Sequence, residues 1–172
     1  MEFNTFSIVA HCARTNVLGV AVATAVPAVG AMCPYVKSGV GAVSTQSWVN
    51  PYLAIEALRL MEAGASAPLA LDAVLANDDA KDLRQIGIVD AKGLAAAWTG
   101  KSCTLWCGDI VDTHVAVQGN MLTGGATIGS MVNVFRGTAE LDLAERLLRA
   151  MEAGQAAGGD KRGKQSAALR VH

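Results

Sequence analysis

The stretch Thr5-Phe6-Ser7-Ile8-Val9-Ala10 reads as a buried β-strand that opens on a hydroxyl residue. Its apolar, partly β-branched run suits a pleated interior. A threonine heading such a strand can supply two groups for acyl transfer: its hydroxyl attacks, and its own α-amine, once free, serves as the base. Model-peptide α-amines titrate near ~8, so such an amine accepts a proton at neutral pH without help from an imidazole. That suits a chain with three histidines, His11, His114 and His172, scattered singly. Thr5 is not the first residue, so Met1-Glu2-Phe3-Asn4 must be removed before this chemistry can operate.

Outward from this strand, Val17 to Thr24 is a second, joined to it through Ala13-Arg14-Thr15-Asn16 as a hairpin. Pro27 and Gly30 then bend the chain. Val36 to Thr45 reads as a third strand, with glycines where another backbone comes close. The period changes at Pro51, where Leu53, Ile55, Leu58 and Met61 recur at helical spacing, with Asn50 as N-cap and Gly64 as the stop. Ser66 caps a second helix carrying Leu69, Leu71, Val74 and Leu75 along one side, and Asn77-Asp78-Asp79 stops it. Arg84 to Val89 and Leu94 to Thr99 form a strand pair around Asp90-Ala91-Lys92-Gly93, and His114 to Met121 is a third strand after a turn at Gly108-Asp109. Helices return over residues 126–135 and 140–153, the second with Leu141, Leu143, Ala144, Leu147 and Leu148 inward, and Ser166 to Val171 is a last strand. The order βββ-αα-βββ-αα-β comes in blocks rather than in alternation. It predicts antiparallel sheets with helices layered outside, an α+β sandwich formed by residues 1–172 as a single domain.

Composition excludes several function classes. Hydrophobic residues make up 52% and charged residues 17%, which is a folding composition rather than a disordered one. With 14 basic against 15 acidic residues there is no basic field to gather phosphates, so no nucleic acid partner is expected. Gly, Pro or charge breaks every apolar stretch before ~18 residues, so no membrane association is expected. The start Met-Glu-Phe-Asn lacks the basic and apolar regions of a secretory signal, which predicts a cytoplasmic protein. The cysteines at 12, 33, 103 and 107 read as reduced thiols, and Cys103-x-x-x-Cys107 lacks the second pair of a zinc site. No metal and no organic cofactor is expected. The G-x-S-x-G, H-E-x-x-H and G-x-G-x-x-G patterns do not occur.

Four further places carry polar chemistry. Lys37, among Val36, Val40 and Val43, points either to solvent or inward, where its ammonium would lower the cost of ionising a nucleophile's hydroxyl. Ser44-Thr45-Gln46-Ser47-Trp48-Val49-Asn50 reads as a polar loop between strand and helix, and Gln46 is its candidate substrate contact. Gln118 and Asn120 flank Gly119 at a strand end, placed either to donate to an oxyanion or to hold a loop. The tail Gly158 to Ser166 is dense in polar residues; Asp160 and Arg162 are its candidate substrate contacts, Arg162 for a carboxylate. Ser7 and Cys12 are alternative nucleophiles on the first strand, but the adjacent His11 points to the opposite face from Cys12.

Seven segments together resemble a bacterial family known as domain of unknown function 1028: residues 5–10, 18–23 and 28–31, Gly-Val-Gly-Ala-Val-Ser-Thr-Gln-Ser-Trp-Val-Asn-Pro at 39–51, Arg-Gln-Ile-Gly-Ile-Val-Asp at 84–90, Ala-Val-Gln-Gly-Asn-Met-Leu at 116–122, and residues 158–169. The resemblance covers nearly the whole chain in order. It implies an N-terminal-nucleophile (Ntn) hydrolase-like fold, a four-layer αββα sandwich, and hydrolysis of a non-peptide C–N amide bond in a small-molecule substrate. It also implies self-association into a homo-oligomer, which the mean hydropathy of +0.33 accommodates. In members of that family the threonine matching Thr5 commonly follows the initiator Met, whereas Glu2-Phe3-Asn4 intervene here. The separation of Lys37 from Thr5 is similar to that between threonine and lysine in proteasome-type subunits. The acidic residue that such subunits carry in between has no counterpart, since residues 15–38 hold no Asp or Glu. The expected machinery is therefore Thr5 as nucleophile, Lys37 beside it, and Asn120 or Gln118 with backbone N–H groups holding the oxyanion. The rival reading is a non-catalytic ligand-binding or assembly protein on the same fold.

Overall fold

Strand β2 (Thr5–Cys12) is buried along its whole length, which requires cover on both faces. In the structure, a computed structural model describing the backbone of Glu2–Phe3 and all of residues 5–172, that cover is a helix pair on one side and a second sheet on the other. Met1 and Asn4, part of the segment expected to be removed, lie outside the described residues. Phe6, Ile8, Ala10 and Cys12 pack under the helices α3 (Ala126–Gly137) and α4 (Leu143–Ala156). Val9, on the other face, meets Ala42 and Val89 of the opposite sheet.

The sheet containing β2 is antiparallel, in the order β10 (Ser166–Val171), β3 (Val17–Thr24), β2, β9 (Val115–Gly119), β8 (Gly108–Asp112). The facing sheet has the order β1 (Glu2–Phe3), β5 (Gly41–Trp48), β6 (Arg84–Asp90), β7 (Ala95–Thr99), with β4 (Pro34–Lys37) also paired to β5. Helices α1 (Pro51–Glu62) and α2 (Ala67–Ala76) cover its outer face through Leu53, Leu58, Leu71 and Val74 against Val43, Ile86 and Ile88. The architecture is thus four layers, αββα, with antiparallel sheets at the centre. Among the described residues no helix is long and apolar enough to cross a membrane.

Several local expectations are corrected. The third strand is two, β4 and β5, because Ser38-Gly39-Val40 turns the chain, with Gly39 at φ +68°. The run 44–50 is not a loop: β5 continues to Trp48. Gly108-Asp109 opens β8 instead of making a turn. Ile55, Leu69 and Leu148 are exposed, each lying off the buried stripe of its helix. Asn50 caps α1 by accepting the Tyr52 N–H. Ser66 occupies the cap position of α2 without a side-chain bond, and Asp90 accepts the Ala67 N–H in its place.

At the Cys12 end of β2, His11 and His114 meet through their Nδ1 atoms at 3.1 Å. This contact requires one ring to donate and the other to accept, so it excludes two imidazolium ions. Burial, and then the neighbouring His114, hold the His11 imidazole below its ordinary value of 6.5, against opposing contributions from Asn16 and Asp90. The folded protein therefore binds this proton less readily than the unfolded chain, and stability rises with pH across the interval below 6.5. Urea midpoints measured from pH 7.5 down to 5.5 are expected to fall, and His11→Gln is expected to flatten that fall; an unchanged slope in the variant would assign the effect to other groups.

Candidate active site

The layer between the sheets changes character along β2. Toward Cys12 it is apolar, built from Val9, Leu18, Val20, Ala42, Val89 and Ala116. Toward Thr5 it is polar: Thr5, Ser7, Gln46, Gln85, Gln118 and Asn120 are all fully buried. Strand periodicity puts them there. Thr5 and Ser7 share the face of Val9 on β2, Gln46 that of Ala42 on β5, Gln85 that of Val89 on β6, and Gln118 and Asn120 that of Ala116 on β9 and just beyond it.

These side chains bond mainly to one another. Gln118 Nε2 donates to Ser7 Oγ (2.5 Å), and Ser7 Oγ donates to Gln46 Oε1 (2.6 Å). Gln46 Nε2 donates to Gln85 Oε1 (2.8 Å) and to the Thr5 carbonyl (3.3 Å). Gln85 Nε2 donates to the Gly119 carbonyl (2.9 Å) and to Thr99 Oγ1 (2.9 Å), which donates to Asp109 Oδ1 (2.5 Å). The chain of donors thus crosses both sheets and ends on a carboxylate, an arrangement in which each bond polarises the next. Asn120 joins at two points: its N–H donates to the Thr5 carbonyl (2.9 Å) and its Nδ2 to Gln85 Oε1 (2.8 Å). Two acceptors remain without a partner among the described residues, Gln118 Oε1 and Asn120 Oδ1.

The expected site residues divide accordingly. Thr5, Gln46, Gln118 and Asn120 come together. Lys37 does not: it is exposed, ion-paired to Glu62 (2.6 Å), and opposite Gly41, five residues along β5 from Gln46 or about 17 Å. Its spacing from Thr5 therefore says nothing about proximity. Asp160 and Arg162 form a tether. Asp160 is buried, receives the Ala25 N–H (3.3 Å), and is clasped by Arg162 through Nη2 (2.6 Å) and Nε (3.1 Å). Because Ala25 follows Thr24, the cross-strand partner of Thr5, the pair fastens the tail beside the polar cluster. The Arg162 charge is engaged there by Asp160 and does not stand open for a substrate carboxylate.

Of the alternative nucleophiles, Ser7 is held on both sides by amides. Cys12 lies at the opposite end of β2; burial pushes its thiol up, but hydrogen bonds from Thr15 and Arg14 and the charge of Arg146 outweigh it and leave the thiol below its ordinary value. Burial pushes the Cys33 thiol up to about 12, so it is inert at neutral pH. The residues that sequence reasoning missed are Gln85, Thr99 and Asp109. A signal existed for Gln85, which shares the inward face of β6 with Gly87 and Val89 and is the long polar side chain on that face. Among the described residues no group of three or more His, Cys, Asp or Glu is arranged to hold a metal ion.

Residues 5–172 match the family of unknown function DUF1028. Over 98% of its length the chain superposes on 76% of protein SPO2555 from Silicibacter pomeroyi, a DUF1028 protein, with a TM-score of 0.91 and 29% identity. Over 97% of its length it also superposes on 98% of eukaryotic HslV from Trypanosoma brucei, with a TM-score of 0.58 and 11% identity, which places the fold among the Ntn-hydrolase-like sandwiches. No curated protein is significantly similar.

The Gln118 amide lies against Gly87, where a Cβ would run into its terminal atoms. Gly87→Ala is therefore expected to destabilise the protein by about 2 kcal/mol in urea unfolding, an overpacking effect. Adding Gln118→Ala should recover part of that loss. Strict additivity of the two changes would show that the residues are not coupled.

Proposed function

The chain belongs to the DUF1028 family, and from its Ntn-hydrolase-like fold and the setting of Thr5 we propose that it is an amidohydrolase cleaving a non-peptide C–N bond of a small substrate, with Thr5 as N-terminal nucleophile once residues 1–4 are removed. The observation that carries this reading is the position of Thr5: it heads the central strand of its sheet, its carbonyl is gripped by Asn120 and Gln46, and it adjoins a buried cluster of amide side chains. The match to the family also begins on Thr5 itself.

In this mechanism Thr5 Oγ attacks the substrate carbonyl while its hydroxyl proton passes to the free α-amine. The tetrahedral oxyanion is held by N–H donors of the site. The α-ammonium then returns the proton to the departing nitrogen, the C–N bond breaks, and water hydrolyses the threonyl ester by the same route. Two features of the cluster favour it. Gln118 Oε1 and Asn120 Oδ1 are buried acceptors lacking donors, and N–H groups are what a freed α-amine or a substrate amide would bring. The cluster is also built of neutral amides, which suits an uncharged amide or ureido group better than an ionised one. Lys37 has no part in this scheme.

A second reading, a non-catalytic ligand-binding or assembly protein on the same fold, draws on β1. Glu2 and Phe3 pair with Trp48 and Ser47 of β5, and Thr5 is fully enclosed in the unprocessed chain.

Intact mass of protein expressed from a tag-free gene distinguishes them. A chain beginning at Thr5 is expected, with turnover of small amides or ureido compounds that Thr5→Ala reduces by roughly 10³-fold or more. Retention of the leader together with ligand binding but no turnover would favour the second reading, and full activity in Thr5→Ala would refute the first.

A further inference from the structure

At the opposite end of β2 from Thr5, about 23 Å away at strand rise, a cleft of about 270 Å³ opens between the β2–β3 turn, the β8–β9 turn and helices α3 and α4. Its lining includes His11, Arg14, His114, Arg136, Phe135 and Arg146. One acid, Asp112, lines it, and Arg136 already pairs with that carboxylate through Nε (2.7 Å). Arg14 bonds to backbone carbonyls of Glu140 (3.3 Å) and Leu141 (2.9 Å) and forms no ion pair among the described residues.

Arg146 is the decisive residue. It is 8% exposed, stacks over the Phe135 ring at 3.9 Å from the centroid, and donates from Nη2 to the Phe135 carbonyl (3.0 Å). Its Nε has no partner among the described residues, nor does Nε2 of the buried His11 in the same lining. Among the described residues no carboxylate forms an ion pair with it; the Cys12 thiol, hydrogen-bonded to it, is the countergroup that acts most strongly, and Glu140 acts more weakly. A buried guanidinium without a counter-anion is costly, and an unsatisfied buried N–H adds to that cost. The missing component is negative, oxygen-bearing and small.

We propose that this cleft binds a small metabolite through a carboxylate or phosphate group, gripped by the Arg14 and Arg146 guanidiniums with His11 as a further donor. The planar fork of Arg146, fixed by the Phe135 ring, matches the paired oxygens of such a group. The site is independent of the chemistry at Thr5.

The full chain, titrated by calorimetry with inorganic phosphate and separately with succinate at constant ionic strength, tests this. Saturable binding of at least one anion is expected, with a rise in melting temperature that follows its concentration. Arg14 is exposed, so Arg14→Gln should fold normally and weaken binding about tenfold or more; Arg59→Gln, a surface change on α1, should leave it unchanged. Arg146→Lys keeps the charge and loses the fork, and is expected to weaken binding where it folds. Preference for phosphate or succinate identifies the head group. Absence of binding by both, or equal loss in Arg14→Gln and Arg59→Gln, would overturn the proposal.

Discussion

The two sheets are held in register at their Thr5 end by amides that satisfy one another. Burying a polar group without a hydrogen bond costs roughly 1–3 kcal/mol in proteins, so Ser7, Gln46, Gln85, Gln118 and Asn120 are tolerable only together. They come from four strands: β2 supplies Ser7, β5 Gln46, β6 Gln85, and β9 and its extension Gln118 and Asn120. A one-residue slip in any of these strands would turn its amide outward and orphan its neighbours. The apolar belt of Val9, Leu18, Val20, Ala42, Val89 and Ala116 contributes adhesion but little register, since small aliphatic side chains pack in many ways. Specificity of stacking therefore resides in the polar end, where Thr5 also lies.

The layered fold was legible because strands buried on both faces read as apolar runs and the helices carry the longer period. Two of the differences share one cause. A run of polar residues reads as a loop, as 44–50 does, although β5 continues to Trp48 with Gln46 turned into the interior. The same habit made a turn of Gly108-Asp109, where β8 begins and Asp109 terminates the donor chain from Gln85. Thr5, Gln118 and Asn120 come together because each stands at or near the same end of their sheet. Lys37 failed because distance along the chain does not reveal which end of a strand a residue occupies. Gln85 was passed over because one polar residue on an otherwise apolar strand face carries no motif, and its meaning emerges only when β5 supplies Gln46 and the facing sheet supplies Asn120.

A neutral polar cluster constrains what chemistry can follow. Among the described residues no cation stands among the amides, and the His11 and His114 imidazoles lie at the other end of β2, in contact with each other. In the mechanism proposed for Thr5, activation comes from within the residue, through the α-amine that only a terminal threonine has free. The amide wall complements this by orienting rather than ionising. Ser7 and Gln46 are hydrogen-bonded on both sides and hold shape, while Gln118 Oε1 and Asn120 Oδ1 have no partner among the described residues.

The apolar belt also separates two electrostatic regimes on one strand. At the Thr5 end, the charge of Arg162 is cancelled locally by Asp160. At the Cys12 end, Arg14 and Arg146 stand without carboxylate partners among the described residues, and one of them is buried. In a chain of net charge −1 such an excess is not a consequence of composition. It follows from placement: α4 turns Arg146 inward at a position where its stripe of Leu143, Leu147 and Ala150 would accept an apolar residue at lower cost. A fold that keeps a guanidinium there, aromatic-stacked and partly unbonded, retains a feature that stability alone does not select.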